Sequence, residues 1–312
     1  MALHLSAGYR IRSRATVTPP VLDGVDLAIA GLAVDDRGRA AVNALNAVSP
    51  EILTFEFDAR NHVISLDGAE TRLDRLRSHF LGKRRVILDA TTLGIGAMLH
   101  LLLSLTRAGA QSVEFLYVEP LNYARREEAN GHAQQRDYSL SMNCRFSTVQ
   151  GFAQEYDPNR KAAHVFMLGF EPARMLNAIE QRGYEDQHRT TFHVVFGVPA
   201  FQAGWEANSI RPHLAAMEDL SIAEKNVSYC QANSVREGYL ALWRLYRDLG
   251  DEQSCFYVSP LGTKPHSVAA ALFLLETKSS DAPTSLYYDH PHRVAGRSYD
   301  IGKWHHVVVN LA

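Results

Sequence analysis

The sequence predicts an α/β fold in two tandem halves, each a mainly parallel sheet flanked by helices, and three observations carry that prediction. Short runs that are apolar throughout alternate with helix-like segments of about 10 to 15 residues, the pattern of strands covered on both faces by crossover helices. The programme then repeats, because 86–120 and 256–291 each read strand, threonine-bearing turn, apolar helix, polar turn, strand and proline. The chain of 312 residues is also long enough for two domains of ordinary size. Together these point to two Rossmann-like halves, 1–124 and 163–312, joined by a connecting segment over 125–162 whose start is strongly polar.

In the first half, 26–30 (DLAIA) is a strand closed by Gly31, and 37–48 sets Ala40, Ala41, Ala44, Leu45 and Val48 at helical spacing behind Asp35 and Asp36. Strands follow at 52–57 and 62–66, and Leu73, Leu76 and Phe80 space a helix over 70–80. RVIL at 85–88 delivers Asp89, Ala90, Thr91 and Thr92 to a loop, after which a helix over 93–107 and a strand over 113–118 close the half. The second half runs strand 164–168, helix 172–181, strand 191–196, helix 205–218, a short apolar piece 227–230 and helix 235–249. Strand 254–258, helix 265–276, strand 285–288 and an alternating strand 304–311 complete it. Trp205, Trp243 and Tyr246 fall on these helices at spacings that suit the core.

Composition excludes several classes. Hydrophobic residues at 46% and charged residues at 21% describe a globular chain rather than a disordered one. Lys plus Arg number 32 against 34 Asp plus Glu, and the net charge of -2 offers no global field for a nucleic-acid backbone or an anionic membrane. The most apolar stretch, 95–105, is about half the roughly 20 residues needed to span a bilayer. Cys144, Cys230 and Cys255 lie far apart without CxxC spacing, which argues against a zinc ribbon or a disulfide framework and fits a reducing cytoplasm. The first twenty residues lack the apolar core of a secretory signal and predict a lead-in strand or tail. If extended, that segment lines Arg10, Arg12 and Arg14 on one face, where they would meet phosphate or an acidic partner unless they are simply solvated.

Ligands on parallel sheets bind beyond the carboxyl ends of the strands, where loops and helix N-termini present free N–H groups. The first half places Gly31, Asp35, Asp58, Asp89, Thr91, Thr92, Glu119 and Asn122 there. The second places Gly169, Glu171, Gly197, Ser259, Gly262, Thr263, Lys264, Asp289, His290 and Arg293 there. The sharpest signal is Ser259-Pro260-Leu261-Gly262-Thr263-Lys264-Pro265. Gly262 permits close backbone approach, Thr263 suits a helix N-cap, and Lys264 adds positive charge beside a helix N-terminus, a combination fit for an anion or for a plain capped helix start. It is not a Walker loop, and no GxGxxG follows any strand. His290-Pro291-His292-Arg293 lies after a strand and offers pocket-lining groups. His305 and His306 fall on opposite faces of a strand and make no joint site, no metal site is expected, and no GxSxG elbow supports nucleophilic hydrolysis.

The Gly262-Thr263-Lys264 turn between a strand and an apolar helix, with the Asp89-Ala90-Thr91-Thr92 turn, resembles the CARF (CRISPR-associated Rossmann fold) domains. The resemblance covers these two turns and the α/β rhythm; Pro260-Leu261 stands where that family often has Thr-Gly, and no third, effector domain is evident. It implies a nucleotide or cyclic-oligonucleotide ligand contacted by Thr263 and Lys264, with Thr91 and Thr92 as their partners, and a sensor or accessory subunit in prokaryotic antiviral defence. Residues expected to bind ligand are Asp89, Thr91, Thr92, Ser259, Gly262, Thr263, Lys264, His290 and Arg293. Two other functions remain open: a nucleotide- or nucleoside-processing enzyme using Asp89 and Asp58 with Lys264 or His290, and a non-catalytic scaffold with a protein partner in a defence complex.

Overall fold

The computed structural model describes residues 8–124, 141–142, 145–153, 161–182, 188–249, 255–278, 284–293, 296 and 298–311. The chain forms two compact units, one drawn from 8–124 with 295–312 and the other from 125–294. Cys144 lies outside the described residues, as does most of the polar stretch that begins at 125.

The first unit is a mixed sheet of eight strands. Its elements are β1 (Arg10–Thr16), β2 (Leu27–Ala30), α1 (Asp36–Val48), β3 (Ile52–Asp58), β4 (Val63–Leu66), β5 (Ala69–Thr71), α2 (Leu73–Leu76), β6 (Arg85–Asp89), α3 (Ile95–Ala108) and β7 (Ser112–Tyr123), with β15 (Ser298–Asn310). The order is β1-β15-β7-β6-β2-β3-β4-β5. Strands β7, β6, β2 and β3 are parallel, as the continuous apolar runs of β2 and β6 predict, and all four residues of β2 are buried. On one face Ala41 and Leu45 of α1 pack with Ala28, Ile87, Leu116, Val118 and Trp304. Asp35 caps α1 by accepting from the Gly38 N–H at 2.9 Å.

Two sequence expectations give way here. The helix expected over 70–80 is instead β5, the single turn α2 and a 3-10 turn at Arg77–Phe80. Asp67 and Gly68 have φ of 48° and 76°, the geometry of a tight hairpin turn, so the chain reverses into a third antiparallel strand before any helix starts. The second difference lies in 163–312, expected as one half. Residues 298–310 pair instead with β7 and β1 as β15, antiparallel to both, which places them in the first unit; with the antiparallel β3-β4-β5 edge they make its sheet mixed rather than mainly parallel.

The second unit carries a five-stranded sheet that is parallel throughout. Its elements are β8 (Ser141–Met142), β9 (Ala162–Leu168), α4 (Pro172–Glu180), β10 (Thr190–Gly197), α5 (Glu206–Asp219), β11 (Val227–Cys230), α6 (Val235–Leu249), β12 (Cys255–Pro260), α7 (Lys264–Thr277), β13 (Thr284–Leu286) and β14 (His292–Arg293). The order is β11-β10-β9-β12-β13, and β8 pairs with β14 as a separate antiparallel ribbon. All seven residues of β9 are buried, and Phe166, Leu168, Met175, Phe192 and Phe196 fill one face. The four-strand order β10-β9-β12-β13 matches β3-β2-β6-β7 of the first unit, so the sequence echo corresponds to the same succession of parallel neighbours. Among the described residues, no helix is long and apolar enough to cross a membrane.

Candidate site at the carboxyl ends of the parallel strands

In each unit the strand order reverses between the first and third strands of this shared set, β2 and β6 in one and β9 and β12 in the other. A crevice at such a reversal is where open α/β sheets take ligands. Here both reversals are closed by close contact. At the first, the Gly31 N–H donates to Thr92 Oγ1 at 2.8 Å, and a methyl added at Gly31 would lie 3.1 Å from Thr92 O. At the second, a methyl on Gly169 would lie 2.8 Å from Leu261 O, and one on Gly262 only 2.6 Å from Leu168 O. A glycine ending the first strand thus lets the loop after the third strand cross directly over it. Gly262→Ala is therefore expected to cost about 2 kcal/mol, read as a lower urea midpoint, because the atoms in the way are backbone; unchanged stability would mean the loop is free to move.

The expected residues of the first unit come together, and they point inward. Asp89 is fully buried, accepting from the Thr91 N–H at 2.8 Å and from Thr92 Oγ1 at 2.6 Å. Thr91 Oγ1 in turn accepts from the Val118 N–H at 3.0 Å. These side chains knit the ends of β2, β6 and β7 together. Asp58 lies elsewhere, at the end of β3, where it accepts from the Arg60 N–H and Asn61 Nδ2, both at 2.8 Å. Those hydrogen bonds, led by Asn61, hold its carboxyl below the usual value. A cleft of about 410 Å³ lined by Glu51, Asp67, Glu70, Arg75 and His79 contains none of the expected residues.

In the second unit, α4, α5 and α7 each follow a strand end. Thr263 is the N-cap of α7, accepting from the His266 N–H and donating to Ala232 O at 2.6 Å. Lys264 is its first residue and is half-buried, and Pro265 occupies the first turn. Ser209 of α5 donates to Gly169 O at 2.7 Å, which brings that helix start to the same glycine that Gly262 touches. Arg174 of α4 is buried and holds Asp289 with a two-pronged contact, Nε to Oδ2 at 2.7 Å and Nη2 to Oδ1 at 2.6 Å, while Nη1 donates to Leu261 O at 2.9 Å. Burial disfavours the Arg174 charge, yet Tyr288 and Asp289 outweigh it and hold its pKa above the ordinary arginine value. His290 follows, half-buried and edge-on to Tyr288. Arg293 lies in β14 opposite Ser141, and its side chain lies outside what is described.

Ser259 does not face solvent. It is fully buried and donates to Tyr287 O at 2.5 Å, and its Oγ lies 2.7 Å from His164 Nε2. Since the serine proton is committed to a carbonyl, His164 Nε2 carries a proton and donates, leaving Nδ1 to accept from Arg182 Nη1 at 3.3 Å. A histidine that donates to serine cannot act as its general base, so this serine–histidine pair is a buried structural chain. Burial, then Arg182, pushes the His164 pKa well below its ordinary value and keeps the ring neutral. Cys230 and His266 form a second buried pair, 3.4 Å apart, with His266 Nε2 also 3.1 Å from Gln231 O. Burial pushes the Cys230 thiol up to about 12, and it is no nucleophile at neutral pH.

Sequence reasoning missed two aromatic side chains. Trp205, expected in the core, is half-buried and packs edge-on to Phe170, the residue after Gly169, with centroids 6.1 Å apart. Trp243 and Tyr246 do lie in the core. The signal available was the position of Trp205 at the very start of a helix that follows a strand end. His305 and His306 take separate partners, Glu119 and Glu114, each at 2.6 Å. Among the described residues no group of three acidic, histidine or cysteine side chains is placed to hold a metal. Compared with known proteins, the chain matches no family model and no curated protein sequence.

Proposed function

We propose that the chain is a sensor or accessory subunit that binds a nucleotide-derived anion on the loops at the carboxyl ends of its parallel strands, with two Rossmann-like halves as scaffold. The observation that carries this reading is the start of α7. Thr263 caps it, Lys264 opens it with positive charge, and it stands at the point where the strand order reverses. The half-buried rings of Phe170 and Trp205 beside Gly169 supply apolar surface for a base near that anion site. Because Gly262 and Gly169 close the crevice, the ligand rests across the outside of the loops. A cytoplasmic setting in prokaryotic antiviral defence, with a protein partner, follows from the resemblance to CARF domains. The enzymatic alternative has less support, because Asp89 and Asp58 are both engaged in turn and loop hydrogen bonds.

Thermal unfolding with mononucleotides, dinucleotides and cyclic oligonucleotides tests the reading. A ligand at one hundred times its Kd adds about 2.7 kcal/mol of stability, a rise of several degrees, and Lys264→Ala should abolish the rise, measured against the variant's own unliganded Tm. No rise with any of these ligands would sink the proposal and favour the scaffold role.

A further inference from the structure

We propose that the outer edge of β1 is a docking edge for an acidic extended segment of a protein partner, which adds to the sheet as a further strand. β1 is the terminal strand of the eight-stranded sheet and, among the described residues, pairs on one side only, with β15, so its other side presents main-chain groups with no strand partner among them. Arg10, Arg12 and Arg14 sit opposite Asn310, Val308 and His306, which places all three guanidinium groups on one face at intervals of roughly 7 Å. All three are exposed, and among the described residues none of them makes an ion pair.

The neighbouring strands leave these charges unanswered. On the same face, Glu114 of β7 is the near carboxylate, and it is already held by Arg85 at 2.6 Å and by His306 at 2.6 Å. Glu119 is held by His305 on the opposite face. An incoming strand with Asp or Glu at alternate positions supplies cross-strand partners for all three arginines while its backbone completes the ladder. A second copy of β1 fits poorly, because a symmetric antiparallel pairing sets arginine opposite arginine. Single-stranded nucleic acid is also a poorer occupant. Trp304, on this face opposite Thr16, is buried and offers no stacking surface beside the charges.

The test uses the full chain and fluorescence anisotropy with a labelled peptide that alternates glutamate and threonine. Expected are binding that weakens with salt, loss of about tenfold or more in affinity for Arg12→Glu, and a similar loss for a peptide N-methylated at alternate backbone nitrogens. Arg12 is exposed, so an unchanged Tm in Arg12→Glu confirms that the variant is folded. Equal binding of a peptide with the same composition but its glutamates in one block would overturn the proposal, as would indifference to Arg12→Glu. Tighter binding of a thymidine oligonucleotide than of the alternating peptide would overturn it in favour of a nucleic-acid edge.

Discussion

Asp289→Asn is expected to destabilise the second unit by about 4 kcal/mol, since it removes the carboxylate from a buried, doubly bonded arginine. Arg174 and Asp289 have side chains 6% and 1% exposed, and their two contacts of 2.7 and 2.6 Å leave no water to take over when one partner is neutralised. The same arginine holds Leu261 O, so the loss should spread to the loop that carries Gly262, Thr263 and Lys264. Urea unfolding monitored by tryptophan fluorescence measures it. Replacing both partners by apolar residues of similar volume, Arg174→Met with Asp289→Leu, should recover much of the loss, because no charge is then stranded. A double variant as weak as the single one would show that the hydrogen bond to Leu261 carries the effect.

Acidification is expected to remove about 3 kcal/mol through His266 alone. Burial, opposed only in part by the hydrogen bond to Gln231, lowers the His266 pKa from the ordinary 6.5 to about 4 in the fold. The unfolded chain therefore takes up a proton at a pH where the native ring stays neutral. Stability is intact above about 6.5, falls as pH drops through the interval to about 4, and is not reduced further by this group below that. The gap between the two values sets the magnitude. His164, lowered by burial and Arg182, and His193 and His213, lowered mainly by burial, add in the same direction. Urea midpoints measured between pH 7 and pH 5 isolate the histidines, since carboxylates such as Glu114 titrate lower still. His266→Gln should flatten the slope; a profile of unchanged steepness would assign the acid sensitivity to the other rings.

Much of the fold was legible because local chemistry and global packing agree. The run at 162–168 is apolar throughout and proves buried throughout, and Thr263 caps the helix its position predicts. The strand Ala69–Thr71 was missed, because the spacing of Leu73, Leu76 and Phe80 reads as one helix over 70–80, whereas the chain first turns back at Asp67 and Gly68. The partner of β15 was not legible, since alternation in residues 304–311 specifies a strand and says nothing about which sheet receives it. For the candidate site, residue type and position placed these side chains at strand ends, while their orientation stayed hidden. Asp89, Thr92 and Ser259 are where they were expected, yet their polar atoms are consumed by Gly31, Thr91 and Tyr287. Periodicity does not distinguish a hydroxyl that reaches a ligand from one that ties two strands together.

The placement of β15 sets the order in which the chain becomes complete during synthesis. Strands β1 to β7 leave the ribosome first, yet β1 has no strand beside it until residues 298–310 arrive, for β15 lies between β1 and β7. The five parallel strands of the second unit are all contained in 162–286 and have their neighbours at hand before that point. Vectorial synthesis therefore closes the later-made unit first. The nascent first unit meanwhile presents the edge of β7, a long run of buried side chains, as an open template throughout the translation of everything between.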